Sequence, residues 1–207
     1  MKVQVTSETL KGFYGENEAQ TLYQALKAKN GFLDFARQFV YNEDAKVARN
    51  ALWVLTKAND KELSALQPFR NELIDLAMTT KHSAVRRLSL NIVERLKMDK
   101  DDLQTEFLDF CLEHMLDIEE LPGVQAICMK LAYRMCMFYP ELMEELKRTL
   151  QAMAIEYYKP AVKCARNRIL NQRLKRKLRL GQGFGLWIYF HSNSRNSVGD
   201  TPVSCLK

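Results

Sequence analysis

Four segments of the chain place apolar residues at the same helical spacing. When one valine in each segment is taken as position 0, positions 7 and 8 are also apolar, and position 4 is small in the first three segments. Positions 0, 4, 7 and 8 lie on one face of an α-helix. The pattern therefore predicts four equivalent helices, each with a face that a neighbouring helix can approach closely. The reference valines are Val47, Val85, Val124 and Val162, which stand 38, 39 and 38 residues apart.

A second helical segment precedes each of these four helices. The predicted first helices cover residues 31–41, 62–78, 103–116 and 141–156, and residues 16–29 read as one further helix near the N-terminus. Helix pairs with a period close to 38 residues are typical of an α-solenoid. In such a fold each pair buries its apolar side only by stacking on its neighbours.

Turn signals separate the two helices of each pair. Pro122 and Pro160 stand where a second helix would begin, and a proline is tolerated there because the first helical N–H has no intrahelical partner. Asp44 and Ser83 are placed to cap the first two of these helices by accepting backbone N–H bonds. We therefore expect the second helices to begin close to these four residues.

The start of the second helix resembles that of a known repeat family. The stretches DAKVARNAL at 44–52 and HSAVRRLSL at 82–90 resemble HEAT repeats, which favour a polar or acidic residue, then valine, then arginine at this joint. The resemblance covers about residues 31–172, although the third and fourth repeats lack the arginine. It implies an all-α fold, a right-handed α-α superhelix of about four HEAT-like hairpins plus an N-terminal helix. It also implies binding of macromolecules, without naming one.

The chain is predicted to contain one repeat domain and a tail. The repeat pattern fades by residue 180, which gives a HEAT-like domain at 1–180 and a tail at 181–207 that is rich in Gly, Ser and Asn. Within the tail, residues 186–190 are apolar and favour a strand. A loose strand, a segment that folds back and disorder all remain open for the tail.

The net charge of +6 is distributed unevenly. Residues 159–179 hold nine Lys and Arg and no acid, whereas residues 1–158 hold 20 basic and 24 acidic residues. The basic segment is interpreted either as a solvated terminal repeat or as a contact for nucleic acid, an acidic protein or anionic lipid. It lacks aromatic residues, which argues against recognition of single strands. Its candidate contacts are Arg173, Lys175, Arg176 and Lys177.

The leading functional hypothesis is a non-catalytic module that holds a protein or peptide on a concave face lined by the second helices. Two interpretations compete for its arginines. In one, Arg49, Arg86 and Arg87 form a ladder of phosphate contacts. In the other, which we favour because pairing between stacked repeats should be common, Arg49 and one of Arg86 and Arg87 form ion pairs at the joints and the remaining arginine is solvated. Candidate binding residues are those between the buried columns: Arg49, Asn50, Arg86, Arg87, Asn91 and Gln125.

The sequence offers no motif for catalysis, cofactor binding or a metal site. No nucleophile elbow, P-loop or zinc-protease motif is present. A HEAT-like fold also serves alkylpurine DNA glycosylases, but the body here is net negative and Trp53 has no nearby acid of obvious role. Cys111, His114 and Asp117 lie near one helical face, and we interpret this triplet as chance. We therefore expect no enzyme, cofactor or metal.

The cysteines and the hydropathy of the chain indicate the cellular compartment of the protein. The five cysteines are odd in number and contain no C-x-x-C pair, which favours reduced, buried thiols. We see no signal peptide, and no apolar run reaches the ~18 residues that a membrane helix needs. We expect a cytoplasmic protein without a membrane span, and the oligomeric state stays open.

Overall fold

A computed structural model describes the backbone of residues 5–13 and 15–177 and the side chains up to residue 171. Within these residues the regular structure is entirely helical. The chain divides into two compact units, residues 1–170 and 171–207, and only the helical backbone at the start of the second unit is described. The tail at 181–207 lies outside the described residues, so its boundary with the repeat domain stays a prediction.

The helices follow the predicted order of paired segments. The pairs α3/α4, α6/α7, α8/α9 and α10/α11 are the four expected hairpins, and α2 is the expected N-terminal helix, so the all-α solenoid is confirmed. The handedness of the superhelix stays a prediction. The α-helices are α1 (Ser7–Lys11), α2 (Glu16–Lys29), α3 (Phe32–Phe39), α4 (Ala45–Thr56), α5 (Asp60–Leu63), α6 (Arg70–Thr79), α7 (Ser83–Arg95), α8 (Thr105–Leu116), α9 (Pro122–Cys136), α10 (Pro140–Ala152) and α11 (Pro160–Lys177). Short 3-10 helices cover Ser64–Phe69, Lys100–Asp102 and Ile155–Tyr157.

The first helix of the second repeat is broken, and the prediction of one continuous helix over 62–78 is wrong. The chain forms α5, then the 3-10 helix Ser64–Phe69, then α6. Pro68 lies inside the 3-10 segment. A proline inside an α-helix lacks the N–H for the i to i−4 bond and its ring collides with the carbonyl four residues earlier, so the helix divides there.

The predicted starts of the second helices are largely correct. Helices α9 and α11 begin at Pro122 and Pro160, and Oδ1 of Asp44 accepts the backbone N–H two residues further on at 2.9 Å. Ser83 is not a cap: it is the first residue of α7, and the preceding His82 occupies the N-cap position without a side-chain hydrogen bond. The cap prediction for Ser83 is therefore wrong.

The second helices are buried on most of their circumference. Positions 0, 4, 7 and 8 are buried in the first three repeats, as predicted, and positions 3, 5 and 11 are buried as well. Each of these helices packs against its own first helix, α4 also contacts α7, and α7 also contacts α9. Ser89 at position 4 is fully buried, and its Oγ has no hydrogen-bond partner among the described atoms.

The described cysteines are free thiols in two different environments. Cys111, Cys128 and Cys136 are buried, whereas Cys164 is exposed, so the expectation of buried thiols is wrong for Cys164. Burial raises the pKa of Cys111 well above its ordinary value and raises the pKa of Cys136 to about 11. Cys111 and Cys136 are therefore protonated at neutral pH. Cys205 lies outside the described residues.

Candidate interaction surface of the second helices

Each second helix of the first three repeats leaves one line of side chains at the surface. These residues stand at positions −1, 2, 6 and 9, which are three or four residues apart and so lie on one helical face. All of them are exposed or half-buried. We call this set the inner stripe: Lys46, Arg49, Trp53 and Thr56 of α4; Ala84, Arg87, Asn91 and Glu94 of α7; Gly123, Ala126, Lys130 and Tyr133 of α9.

The lines of neighbouring helices adjoin each other. A Cβ at position 123 would lie 3.2 Å from Cδ of Arg87, so the stem of this arginine crosses from α7 onto Gly123 of α9. A larger residue at position 123 would displace the arginine. The stripe residues of α7 and α9 therefore form one continuous surface, and α4 packs against α7 on the other side.

The inner stripe is basic although the body of the protein is not. Its twelve residues include four cations and one carboxylate, Glu94. Residues 1–158, which contain all of them, carry more acids than bases. The sequence prediction averaged charge over the whole body and missed this contrast, which the repeat columns would have revealed.

Asn50 is not a surface residue, and its assignment as a binding residue is corrected. It is fully buried, its Nδ2 donates to the carbonyl of Leu10 at 2.7 Å, and its Oδ1 accepts from Nε and Nη2 of Arg49 at 3.1 and 2.8 Å. Position 3 is three residues after position 0 and four residues before position 7, so it lies on the same buried face of the helix. Arg49 is exposed and bonds an amide rather than the acid that we expected.

Gln125 is also buried, and its assignment as a surface contact is wrong. The side chain is almost fully enclosed, and Nε2 donates to the carbonyl of Asp117 at 2.5 Å. Position 1 precedes positions 4 and 8 by three and seven residues, which places it at the edge of the buried face. Gln125 therefore closes the turn between α8 and α9 and is not available to a partner.

Of the two adjacent arginines, Arg86 and Arg87, it is Arg86 that joins two repeats. Its Nη1 lies 3.0 Å from Oε2 of Glu120, a carboxylate that is only 7% exposed. Its Nε and Nη2 donate to the carbonyls of Ala77 and Thr80 at 3.3 and 2.9 Å. Arg87 is exposed. One arginine of the pair thus forms the predicted joint, while the other reaches the inner stripe.

A second set of cations lies near the ends of the second helices, and two of its three members tie their helix to the second helix before it. These residues stand at position 10, and we call them the C-terminal basic column: Lys57, Arg95 and Arg134. Arg95 donates to the carbonyls of Thr56 and Ala58 at 3.1 and 2.6 Å. Arg134 donates to the carbonyl of Glu94 and, at 2.6 Å, to that of Leu96. Burial lowers the pKa of Arg134.

These contacts supply donors to carbonyls that a helix end leaves without partners. The last four carbonyls of an α-helix have no intrahelical N–H, and a cation beside them also complements the helix dipole. Lys57 instead pairs with Glu16 of α2. The column was missed at the sequence level, although its spacing of 38 and 39 residues matches the repeat.

A separate ion pair connects α6 to the segment that precedes α8. Arg70 at the start of α6 contacts both oxygens of Asp102, with Nη1 to Oδ2 at 2.5 Å and Nη2 to Oδ1 at 2.7 Å. The side chain of Arg70 is 11% exposed. Its hydrogen bonds hold the pKa of Asp102 below the ordinary value of 3.8. This pair links the second repeat to the 3-10 helix that precedes α8.

The remaining candidate residues fall into three groups. Asn91 is half-buried within the inner stripe. The four basic candidates in α11 have side chains outside the described residues, so their role stays a prediction: Arg173, Lys175, Arg176 and Lys177. The triplet considered as a metal site is dispersed, because Cys111 is buried and Nδ1 of His114 contacts Glu120 at 2.8 Å. In the described part of the chain no group of three or more ligating side chains could hold a metal ion.

The fold and the surface together define a helical-repeat protein whose second helices present one shared, solvent-facing stripe. None of the helices in the described residues is long and apolar enough to cross a membrane. A family model described as HEAT repeat domain matches residues 6–173, and the chain belongs to that family. HEAT repeats generally serve as protein-interaction scaffolds, and the family is typically non-catalytic. No match to the chain was found among curated proteins or among solved structures.

Proposed function

We propose that this protein is a non-catalytic interaction module that binds a protein partner through a concave face formed by its second helices. The observation that carries the proposal is the inner stripe. Most other positions of α4, α7 and α9 are buried in the core or engaged in the joints, and this stripe is the main surface that they leave for a partner. The interaction role that is general in HEAT repeats supports the same conclusion.

The dimensions of the inner stripe suit a short segment of a partner. Its residues span eleven positions of each helix, a rise of about 15 Å over ten steps of 1.5 Å. Packed helices lie about 10 Å apart, so three of them span about 20 Å between the outer axes. The flat footprint between these axes is roughly 300 Å², and its longer side equals the length of about six residues of extended chain at ~3.3 Å per residue. A peptide-like segment of that length fits this footprint.

The composition of the inner stripe favours binding over catalysis. General acid–base chemistry usually employs a pair of titratable groups held near each other. The stripe contains a single carboxylate, Glu94, and neither histidine nor cysteine. Its polar groups are hydrogen-bond donors and cations that can orient a ligand.

Site-specific photocrosslinking tests the proposal. A benzophenone amino acid is placed at Asn91 in the inner stripe, and a matched one at Asp109, an exposed residue of the first helix α8. We expect the Asn91 probe to give a discrete protein adduct that an excess of unmodified chain suppresses, and the Asp109 probe to give none. Equal adducts at the two positions, or none at Asn91, would contradict the proposal.

The basic segment at 159–179 supports nucleic-acid binding as a second candidate. Part of this charge has a structural use, because Nε of Arg166 donates to the carbonyl of Leu150 at 2.6 Å, while Arg168 is exposed. Affinity for DNA or RNA should then fall steeply as salt is raised. It should also be lost when the four downstream cations are replaced by glutamine: Arg173, Lys175, Arg176 and Lys177. Absent or salt-independent binding would remove this candidate.

A further inference from the structure

We infer that the inner stripe recognises a short acidic segment of its partner, whose carboxylates bind Arg49, Arg87 and Lys130. This inference rests on the proposed interaction role and adds the chemistry of the partner. The three cations lie on three successive second helices, and α7 contacts both of the others. A ligand that crosses the three helices therefore meets one cation on each.

Two of these cations are held in place before a ligand arrives. Arg49 uses Nε and Nη2 to bond Asn50, which is itself anchored to α1 through Leu10. A guanidinium has five N–H donors, so three remain for a carboxylate. Arg87 rests its stem on Gly123. Restriction of the free side chains lowers the conformational entropy that binding must remove.

The cations of α7 and α9 that lie outside the stripe are already engaged elsewhere. Arg86 is paired with the buried carboxylate of Glu120, and Arg95 and Arg134 bond backbone carbonyls of the preceding helix. The nearest carboxylate of the stripe itself is Glu94. Arg49 and Arg87 are exposed and Lys130 is half-buried, so all three remain accessible to a ligand.

The spacing of the cations matches an extended peptide. Arg49 and Arg87 occupy the same position on adjacent helices, about 10 Å apart. Lys130 is four residues further along its helix, an offset of about 6 Å. Carboxylates on one side of an extended chain recur about every 7 Å. Acidic residues spread over about six positions of an extended segment therefore reach all three cations.

The charge balance favours a peptide over a nucleic acid. A DNA duplex carries one negative charge per ~1.7 Å, or about 12 charges along the ~20 Å width of the stripe. The stripe offers four cations and one carboxylate within a body that has 20 basic and 24 acidic residues. A polyanion would meet repulsion beyond the stripe, whereas a peptide with a few carboxylates would not.

Fluorescence anisotropy with the full chain tests the inference. The probe is a labelled 12-residue peptide with four glutamates in a neutral background, and its control has glutamine at those four places. The stripe variant carries Arg49→Gln, Arg87→Gln and Lys130→Gln. The matched control variant removes the same charge at exposed positions outside the stripe, with Lys29→Gln, Arg37→Gln and Arg148→Gln.

We expect the acidic peptide to bind and the glutamine peptide to bind much more weakly. The stripe variant should lose about tenfold or more in affinity, and the control variant about twofold or less. Equal losses in the two variants would overturn the inference, and so would a loss confined to a variant neutralised at Arg173, Lys175, Arg176 and Lys177. Thermal unfolding of every variant shows that each is folded.

Two further outcomes separate this inference from the proposed function. Tighter binding of a 12-base DNA through the same three cations would overturn the acidic-peptide assignment. Crosslinks at Asn91 without any preference for the acidic peptide would sink this inference and leave the interaction role standing. Absence of stripe crosslinks would contradict the interaction role itself.

Discussion

Replacement of Arg134 by methionine should destabilise the joint between the second and third repeats. The arginine reaches from the end of α9 to two carbonyls at the end of α7, those of Glu94 and Leu96. Methionine keeps much of the aliphatic stem and removes both donors. The perturbation therefore tests the hydrogen bonds of the C-terminal basic column more than the packing of its side chains.

The expected loss follows from opposing contributions. A hydrogen bond to a charged group contributes about 1.5–3 kcal/mol, so two contribute about 3–6 kcal/mol. Burial of the guanidinium offsets part of this, as the lowered pKa of Arg134 indicates. Water also reaches the freed carbonyls, since the side chain is only half-buried. We expect a net loss of about 2–3 kcal/mol, or about 5–10 °C in Tm for a domain of this size.

Urea unfolding followed by circular dichroism measures the change, with Arg148→Met as the control. Arg148 is an exposed residue of α10, so its replacement should change the free energy of unfolding by less than about 0.5 kcal/mol. A constant m-value shows that the change reflects stability rather than a different unfolding transition. The Arg134→Lys variant should recover only part of the loss, because one ammonium group cannot reproduce the forked geometry.

Specific results would refute this reasoning. A loss for Arg134→Met no larger than that for Arg148→Met would mean that the two carbonyl contacts do not stabilise the joint. Full recovery by lysine would mean that charge near the helix end, rather than the paired hydrogen bonds, accounts for the effect.

Two further predictions concern a buried hydroxyl and an acid-sensitive ion pair. Ser89→Ala removes a buried Oγ that has no partner among the described residues, so stability should rise by about 1 kcal/mol in urea unfolding; a loss relative to the exposed control Ser83→Ala would contradict this. Arg70 holds the pKa of Asp102 below 3.8, so Asp102 stabilises the fold above that pH, and the contribution is lost as pH falls through the lowered value. Asp102→Asn should thus be less stable than the parent at pH 7, with the difference fading in acid, and a pH-independent difference would count against the ion pair.

The helical repeat could be predicted from the sequence because apolar residues recur at the same positions in each repeat. Valine at position 0 and apolar residues at positions 7 and 8 recur in every repeat, and the structure buries these columns in the first three repeats. The break at Pro68 was also visible in principle, since proline has the same local effect wherever a helix would continue. Handedness depends on small rotations between stacked units, which no residue pattern specifies.

The exposed residues of the second helices were harder to predict, because a polar side chain was assumed to be exposed whatever its position on the helix. Asn50 and Gln125 are polar, yet they lie within the buried arc of the helix and bond backbone carbonyls. Arg134 has the same kind of partner. Every residue has a backbone carbonyl, so residue type does not show which carbonyl accepts a side-chain hydrogen bond. For Arg134 that depends on where the preceding helix ends. Arg49 and Arg87 occupy the same position on the exposed side of their helices, where a column alignment would have grouped them.

The C-terminal basic column gives the array a direction. In both the Arg95 and the Arg134 joints, the donor belongs to the later repeat and the carbonyl acceptors belong to the earlier one. A ribosome therefore releases α4 and α7 about 39 residues before the side chain that completes the end of each. At these joints truncation should have unequal effects, because loss of the later repeat bares carbonyls in the repeat that remains, whereas loss of the earlier repeat leaves a cation that water can solvate.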